Sequence, residues 1–236
     1  EKAVAGVDRV GLMQGSETLL PIYSLFRKVL PKTSVKAIVA IGGTVGGTSP
    51  TAVDFEKAEK AILETPGLET TLVSPNWFLE NWQLPDYAEQ LQQGFFHGAA
   101  QNGKIAYIAV QDIGNTIAQV LFDGPARWNG QRLYITGPEA FTEQEVLTLI
   151  GKVVYEHPIE YRSLEFSAYR DFLLKAGTPE HIANLLTDLE ETKVDGYTAK
   201  VSPNMVKLVT GRDPISLAQW AAEWAQHRKE TAAKQQ

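Results

Sequence analysis

Short β-rich runs alternate with stretches of helical periodicity along the first third of the chain. This alternation limits the possible folds more than any other feature. Residues 8–14 (DRVGLMQ) and 34–42 (SVKAIVAIG) read as buried strands, with an amphipathic helix expected around 19–31 between them. FEKAEKAILET (55–65) keeps helical spacing and runs into Pro66-Gly67, a stop signal. LETTLVSPN (68–76) follows as the next strand, closed by Pro75. Strands separated by helices of this length predict right-handed crossovers and a mostly parallel sheet.

After residue 76 the texture changes. WFLENWQLPDYAEQLQQG suggests broken helices, and FFHGAA (95–100) and KIAYIAVQD (104–112) suggest strands around a turn at Gly103. DIGNTIAQVLFDG (112–124) reads as a helix capped by Asp112, and QRLYITG (131–137) as a strand. FTEQEVLTLIGKVV (141–154) carries a capping box, with Thr142 as N-cap and Glu145 reaching back to it. Beyond it come a short strand (IEYRSL) and several helices, one of them in SPNMVKLVTGRDP (202–214) with start and stop signals. The closing HRKETAAKQQ is expected to fray.

The most conspicuous local motif is AIVAIGGTVGGTSP (37–50). A dinucleotide fingerprint needs G-x-G-x-x-G between strand and helix, with an acidic residue roughly 20 positions on. Gly42, Gly43, Gly46 and Gly47 follow a strand but contain no G-x-G pair, and the next strand ends Ser74-Pro75-Asn76 without a carboxylate. The glycines therefore read as a loop leaving the carboxyl end of a sheet strand, where open α/β sheets bind ligands.

Composition narrows the partners. Net charge is -6 with Lys and Arg dispersed, which argues against nucleic acid. Cysteine is absent, excluding thiolate metal sites and cysteine nucleophiles. His97, His157, His181 and His227 stand singly without metal-ligand spacing, so no metal is expected. The apolar runs are too short to span a bilayer, and a soluble, cytoplasmic protein is the expectation.

From residue 68 onward the chain resembles the NmrA-like, atypical short-chain dehydrogenase/reductases. LETTLVSPNWFLENW is similar to their T-x-L-R-P-x-x-F-M-E-N signature. The likeness continues through GKIAYIAVQDIGNTIAQVLFDG, RLYITGPEAFTEQEVLTLIGKVV, FLLKAGTPEHIANLL and VKLVTGRDPISLAQWAAEWA. At the front, AGVDRVGLMQG and SVKAIVAIGG fit strands four and five of that fold. Within the family the chain looks closest to fungal natural-product reductases, the agroclavine and festuclavine dehydrogenases of ergot-alkaloid pathways.

The resemblance implies an α/β, Rossmann-like parallel sheet, incomplete at the N-terminus, with a smaller, mainly helical substrate-covering region. Residues 1–137 would form the core, with 77–103 partly in the substrate region, and 138–236 the cover. Family members open with a β-α-β-α-β half carrying G-x-x-G-x-x-G, of roughly 60–70 residues. That half is either missing by native truncation, in which case no cofactor is expected, or, as the exposed edge of a half sheet favours, supplied elsewhere, in the same polypeptide or as a partner segment completing the sheet. A homo-oligomer is the other possibility.

The same resemblance implies NADP (NADPH) as cofactor and a hydrophobic small molecule as substrate. Gln14, Gly15, Gly42, Gly43, Thr44, Pro75 and Asn76 would border the cofactor; Trp77, Phe78, Trp82 and Tyr169 would face substrate. No Tyr-x-x-x-Lys occurs, and Tyr197-Thr-Ala-Lys200 has the wrong spacing and lies in an expected loop. Lys57, on the helix after strand five, is the catalytic candidate, against the plainer reading that it and Lys60 lie on a solvated face flanked by Glu56, Glu59 and Glu64. Three functions compete: an NAD(P)H-dependent oxidoreductase, a nucleotide-sensing regulator, and a redox-neutral isomerase or cyclase on the same fold.

Overall fold

The computed structural model describes residues 4–13, 28–43, 50–200 and 202–234. The helix expected over 19–31 lies outside these residues up to position 27; from it, a 3₁₀ turn at Leu30–Lys32 is described.

The expected parallel sheet is present. Strands β1 (Arg9–Leu12), β2 (Ala37–Ile41) and β3 (Glu69–Pro75) lie side by side, separated in sequence by helix α1 (Pro50–Leu63) between β2 and β3. The β2 and β3 segments run parallel, with Ala37 opposite Glu69 and Ile41 opposite Val73. Both are buried along nearly their whole length because both faces of the sheet are covered. Alternate residues divide between those faces. Ile38, Ala40 and Leu72 pack with Ala58 and Ile62 of α1, while Val39 and Val73 join the cluster on the other side.

The next segments depart from expectation. A short 3₁₀ turn (Leu79–Gln83) precedes α2 (Pro85–Gln92), as the broken pattern suggested. The runs on either side of Gly103 are not partners, however. β4 (Phe95–Gly98) pairs in parallel with β8 (Glu160–Ser163), and β5 covers only Lys104–Ile105, antiparallel to β7 (Phe141–Thr142). The physical reason lies in residues 106–109, whose backbone groups bond to three other segments instead of to β4. Ala106 N–H donates to Thr198 O, Ile108 N–H to Trp77 O, and the Tyr107 and Ile108 carbonyls accept from Gly137 and Leu79.

Helix α3 spans Val110–Asp123, two residues earlier than expected, and Asp112 is not its cap. The Asp112 carboxylate instead accepts from Ile215 N–H at 2.7 Å, while Glu80 Oε2 accepts from Val110 N–H at 2.9 Å. A residue from the preceding turn thus takes the terminal amide, which frees Asp112 to anchor a distant segment. β6 (Gln131–Ile135) completes the four-stranded sheet in the order β1-β2-β3-β6, all neighbours parallel.

The capping box at α4 (Glu143–Ile150) forms as read: Thr142 Oγ1 accepts from Glu145 N–H, and Glu145 Oε2 accepts from Thr142 N–H. Helices α5 (Phe166–Lys175), α6 (Glu180–Val194), α7 (Pro203–Thr210) and α8 (Leu217–Lys234) follow. The expected stop after α7 is Gly211, at φ 73°, a left-handed conformation that glycine adopts without strain. The tail corrects the expectation of fraying: α8 stays helical to Lys234. Arg228 lies 4.3 Å over the Tyr155 ring and Lys229 pairs with Glu156 at 3.3 Å, holding it down.

Apolar side chains from the 138–236 stretch serve both halves. Val146, Leu147, Trp220 and Trp224 build a core with Leu79, Trp82 and Phe96, whereas Val206 and Val209 of α7 pack against the sheet with Ile113 and Leu133. No helix among the described residues is long and apolar enough to cross a membrane.

Candidate functional site

At the carboxyl ends of β3 and β6 a cavity of about 430 Å³ opens. Ser74 and Asn76 enter from β3, Tyr134, Ile135 and Thr136 from β6, and Tyr197, Thr198, Lys200 and Ser202 from the connection between α6 and α7. Strand pairing sets the floor, since Ser74 stands opposite Tyr134 in the parallel register.

Three hydrogen bonds fix the roof. Asn76 Nδ2 donates to Thr198 O at 2.8 Å, Ser202 N–H donates to Thr136 Oγ1 at 2.8 Å, and Thr198 Oγ1 donates to Lys104 O at 2.9 Å. Asn76 Oδ1 also accepts from Trp77 N–H, so both ends of that amide are engaged in holding strand to loop. The Ser74 hydroxyl is fully buried and has no hydrogen-bond partner, an open polar position inside the site.

Beside the floor, α1 reaches the end of β2. A Cβ on Gly42 would stand 2.7 Å from both Ser74 Oγ and Glu59 Oε1, so a hydrogen is all that fits there. Glu59, buried, accepts from Gly43 N–H at 2.6 Å and pairs with Arg132 Nη2 at 2.5 Å. Burial pushes its carboxyl pKa up, opposed by the Arg132 charge and the Gly43 amide. Arg132 in turn lies 5.8 Å over the Tyr134 ring. At the rim, Lys200 Nζ stands 5.3 Å from the Tyr197 ring centre.

A second polar cluster is sealed inside the other core. Lys193 Nζ donates to Glu143 Oε1 and to Glu190 Oε1, all three side chains being almost completely buried, and lies 3.8 Å over the Trp77 ring. Burial, together with the Glu143 carboxylate, pushes the Glu190 pKa up to about 7 despite the Lys193 charge. Burial also works against the Lys193 ammonium, but the two carboxylates outweigh it and raise its pKa.

The predicted residues separate into groups. Gly42, Gly43, Pro75 and Asn76 do gather at the strand ends, while Gln14, Gly15 and Thr44 lie outside the described residues. Lys57 is exposed on α1, and Glu59 two residues on is the side chain that turns inward. Trp77, Phe78, Trp82 and Tyr169 do not line the strand-end cavity. Phe78 packs on the sheet cluster; Trp82 is buried with its ring centre 5.0 Å from Phe96; Tyr169 is buried on α5. Tyr197 and Lys200, set aside for their spacing, do line it, on the loop where they were expected. Ser74, Tyr134, Glu59, Arg132 and the Lys193 cluster gave no sequence signal, because each depends on contacts between distant segments.

The cavity offers hydroxyls, aromatic faces and one ammonium. It can bind and orient a flat molecule. Among the described residues no three metal-ligating groups come together.

No family model matches the chain. It is 28% identical over 225 residues to the uncharacterized oxidoreductase YesF of Bacillus subtilis (strain 168), covering 95% of this chain and 74% of that protein. It is 26% identical over 220 residues to quinone oxidoreductase 2 of Escherichia coli (strain K12), covering 92% and 75%. Agroclavine dehydrogenase of Claviceps fusiformis is 27% identical over 161 residues, 66% of this chain and 54% of that protein. Among solved structures, the Escherichia coli NADPH-dependent quinone oxidoreductase complexed with NADPH superposes with a TM-score of 0.80 at 23% identity, over 94% of this chain and 78% of that one. The Citrobacter triphenylmethane reductase complexed with NADP(H) gives 0.77 at 19% identity, over 95% and 78%. The fold is the Rossmann-like α/β fold of these reductases.

Proposed function

We propose that this protein is an NAD(P)H-dependent oxidoreductase of the NmrA-like, atypical short-chain dehydrogenase/reductase type, using NADPH to reduce a hydrophobic, planar small molecule. The observation that carries this reading is the cavity at the carboxyl ends of β3 and β6, in a chain whose relatives are named as oxidoreductases. Open parallel sheets place their ligands at these strand ends. The likeness to agroclavine dehydrogenase supports a natural-product substrate.

Of the residues expected to border the cofactor, Gly42, Gly43, Pro75 and Asn76 stand at the strand ends, where a nicotinamide ring would lie beside the mouth of the cavity; Gly42 itself admits no side chain, because a Cβ there would meet Ser74 Oγ and Glu59 Oε1. No G-x-x-G-x-x-G occurs in these residues, so none is named for the pyrophosphate. NADPH, when bound, supplies the hydride. The chain's own groups orient and enclose: the Asn76–Thr198 and Thr136–Ser202 bonds hold the roof, and Tyr134 and Tyr197 give a flat molecule its walls.

The test is NADPH consumption at 340 nm with a quinone, a triphenylmethane dye and a clavine alkaloid as acceptors. Turnover with any of them supports the proposal. NADPH binding without consumption would favour a nucleotide sensor. Conversion without nucleotide would favour an isomerase or cyclase.

A further inference from the structure

The strand-end cavity contains two polar groups that the protein itself leaves unmatched. The first is Ser74 Oγ, fully buried at the floor with no hydrogen-bond partner. Its neighbours are committed elsewhere: the Asn76 amide to Thr198 and Trp77, and Thr136 Oγ1 to Gly137 O and Ser202 N–H. A buried hydroxyl left without a partner is unfavourable unless something else bonds it.

The second is the Lys200 ammonium at the rim. It stands against the Tyr197 ring, and no carboxylate among the described residues pairs with it. The other cation near the mouth, Arg132, is already neutralised by Glu59 at 2.5 Å. Tyr134 and Tyr197 both present exposed aromatic surface beside it. The cavity's size, about 430 Å³, suits a ligand of two or three fused rings.

We propose that this cavity selects planar aromatic acids, the ring lying against Tyr134 and Tyr197, the acid group on Lys200 and a hydrogen-bonding substituent on Ser74. This deepens the oxidoreductase reading and rests on it, since the cavity is taken as the acceptor pocket. A carboxylate supplies the charge Lys200 lacks, and an exposed pair of this kind contributes modestly, enough for a selectivity of about two- to fivefold. A neutral ring of the same shape keeps the aromatic contacts and loses only the charge term.

The probes are 2-naphthoate, its methyl ester and 6-hydroxy-2-naphthoate, titrated by calorimetry without nucleotide. The acid is expected to bind about two- to fivefold tighter than the ester, with the preference shrinking as salt rises. Lys200→Gln, at an exposed position, is expected to abolish that preference while leaving the ester's affinity unchanged. Ser74→Ala is expected to remove the extra affinity of the hydroxylated acid and to leave thermal stability equal or higher, because it deletes an unpaired polar atom. Equal binding of acid and ester, or an unchanged preference in Lys200→Gln, would overturn the proposal. NADPH consumption with a neutral quinone is measured separately, so loss of acid selectivity leaves the oxidoreductase reading standing, and loss of turnover leaves the selectivity result standing.

Discussion

Lys193 Nζ donates to Glu143 Oε1 at 2.8 Å, joining residues 50 positions apart in the sequence, with the Trp77 ring closing over the ammonium. The bond ties the end of α6 to the start of α4, and Glu190 supplies a second acceptor one turn back on α6. Removing the cation would leave two carboxylates buried without a counter-charge. Lys193→Met is therefore expected to destabilise the fold by about 3–5 kcal/mol, read by urea denaturation. A loss below about 1 kcal/mol would mean that water reaches the cluster and solvates both acids.

The same cluster sets a pH dependence. Glu190 has its pKa raised from 4.5 to about 7, so between those values the folded protein holds a proton the unfolded chain has released. Its contribution is fully present below about 4.5 and is lost as pH rises through 7. Glu59, Glu80 and Asp112 are also raised by burial and act in the same direction. The comparison with Glu190→Gln isolates the one group. From pH 5 to pH 8 the wild type should lose on the order of 1–3 kcal/mol relative to that variant. Parallel stability curves would show that Glu190 titrates normally.

Asp112 binds Ile215 N–H and so anchors the entry to α8 onto α3. Asp112→Ala leaves that amide without its acceptor and should cost about 1–3 kcal/mol. Amide exchange of Ile215 should accelerate well beyond that of α4. Unchanged exchange there would show that another acceptor takes over.

Two glycine substitutions should differ in sign. Gly114 lies exposed within α3, and a Cβ there meets nothing within 4 Å. Gly114→Ala is expected to stabilise by about 0.5–1 kcal/mol, because it removes unfolded-state freedom. A Cβ on Gly137 would collide with the Tyr107 carbonyl, which accepts the Gly137 N–H. Gly137→Ala should destabilise by about 1–3 kcal/mol through the backbone shift it forces. Thermal melts of the two variants check both directions.

The parallel sheet was legible because its signal is local. The apolar runs at 34–42 and 68–76, with a helical pattern between them, permit few arrangements, and the strands pair as those patterns require. The capping box at Thr142 and the glycine stop at 211 were legible for the same reason, since each is complete within a few residues. Strands form on both sides of Gly103 as read, although the second is only Lys104–Ile105, because local alternation reveals extended backbone and not its partners. Those partners come from residues 77, 79, 137 and 198.

The sequence by itself determined the alternation of strand and helix, and with it a mostly parallel sheet of the kind that binds ligands at its strand ends. Only the tertiary structure decided which side chains meet there. It put Ser74, Tyr134, Tyr197 and Lys200 around one cavity, turned Glu59 inward where Lys57 had been the candidate, and buried Lys193 between two acids. The physical reason is range. Backbone preference and apolar periodicity act over a few residues, whereas a cavity or a buried charge pair exists only once segments far apart in the chain have packed against each other.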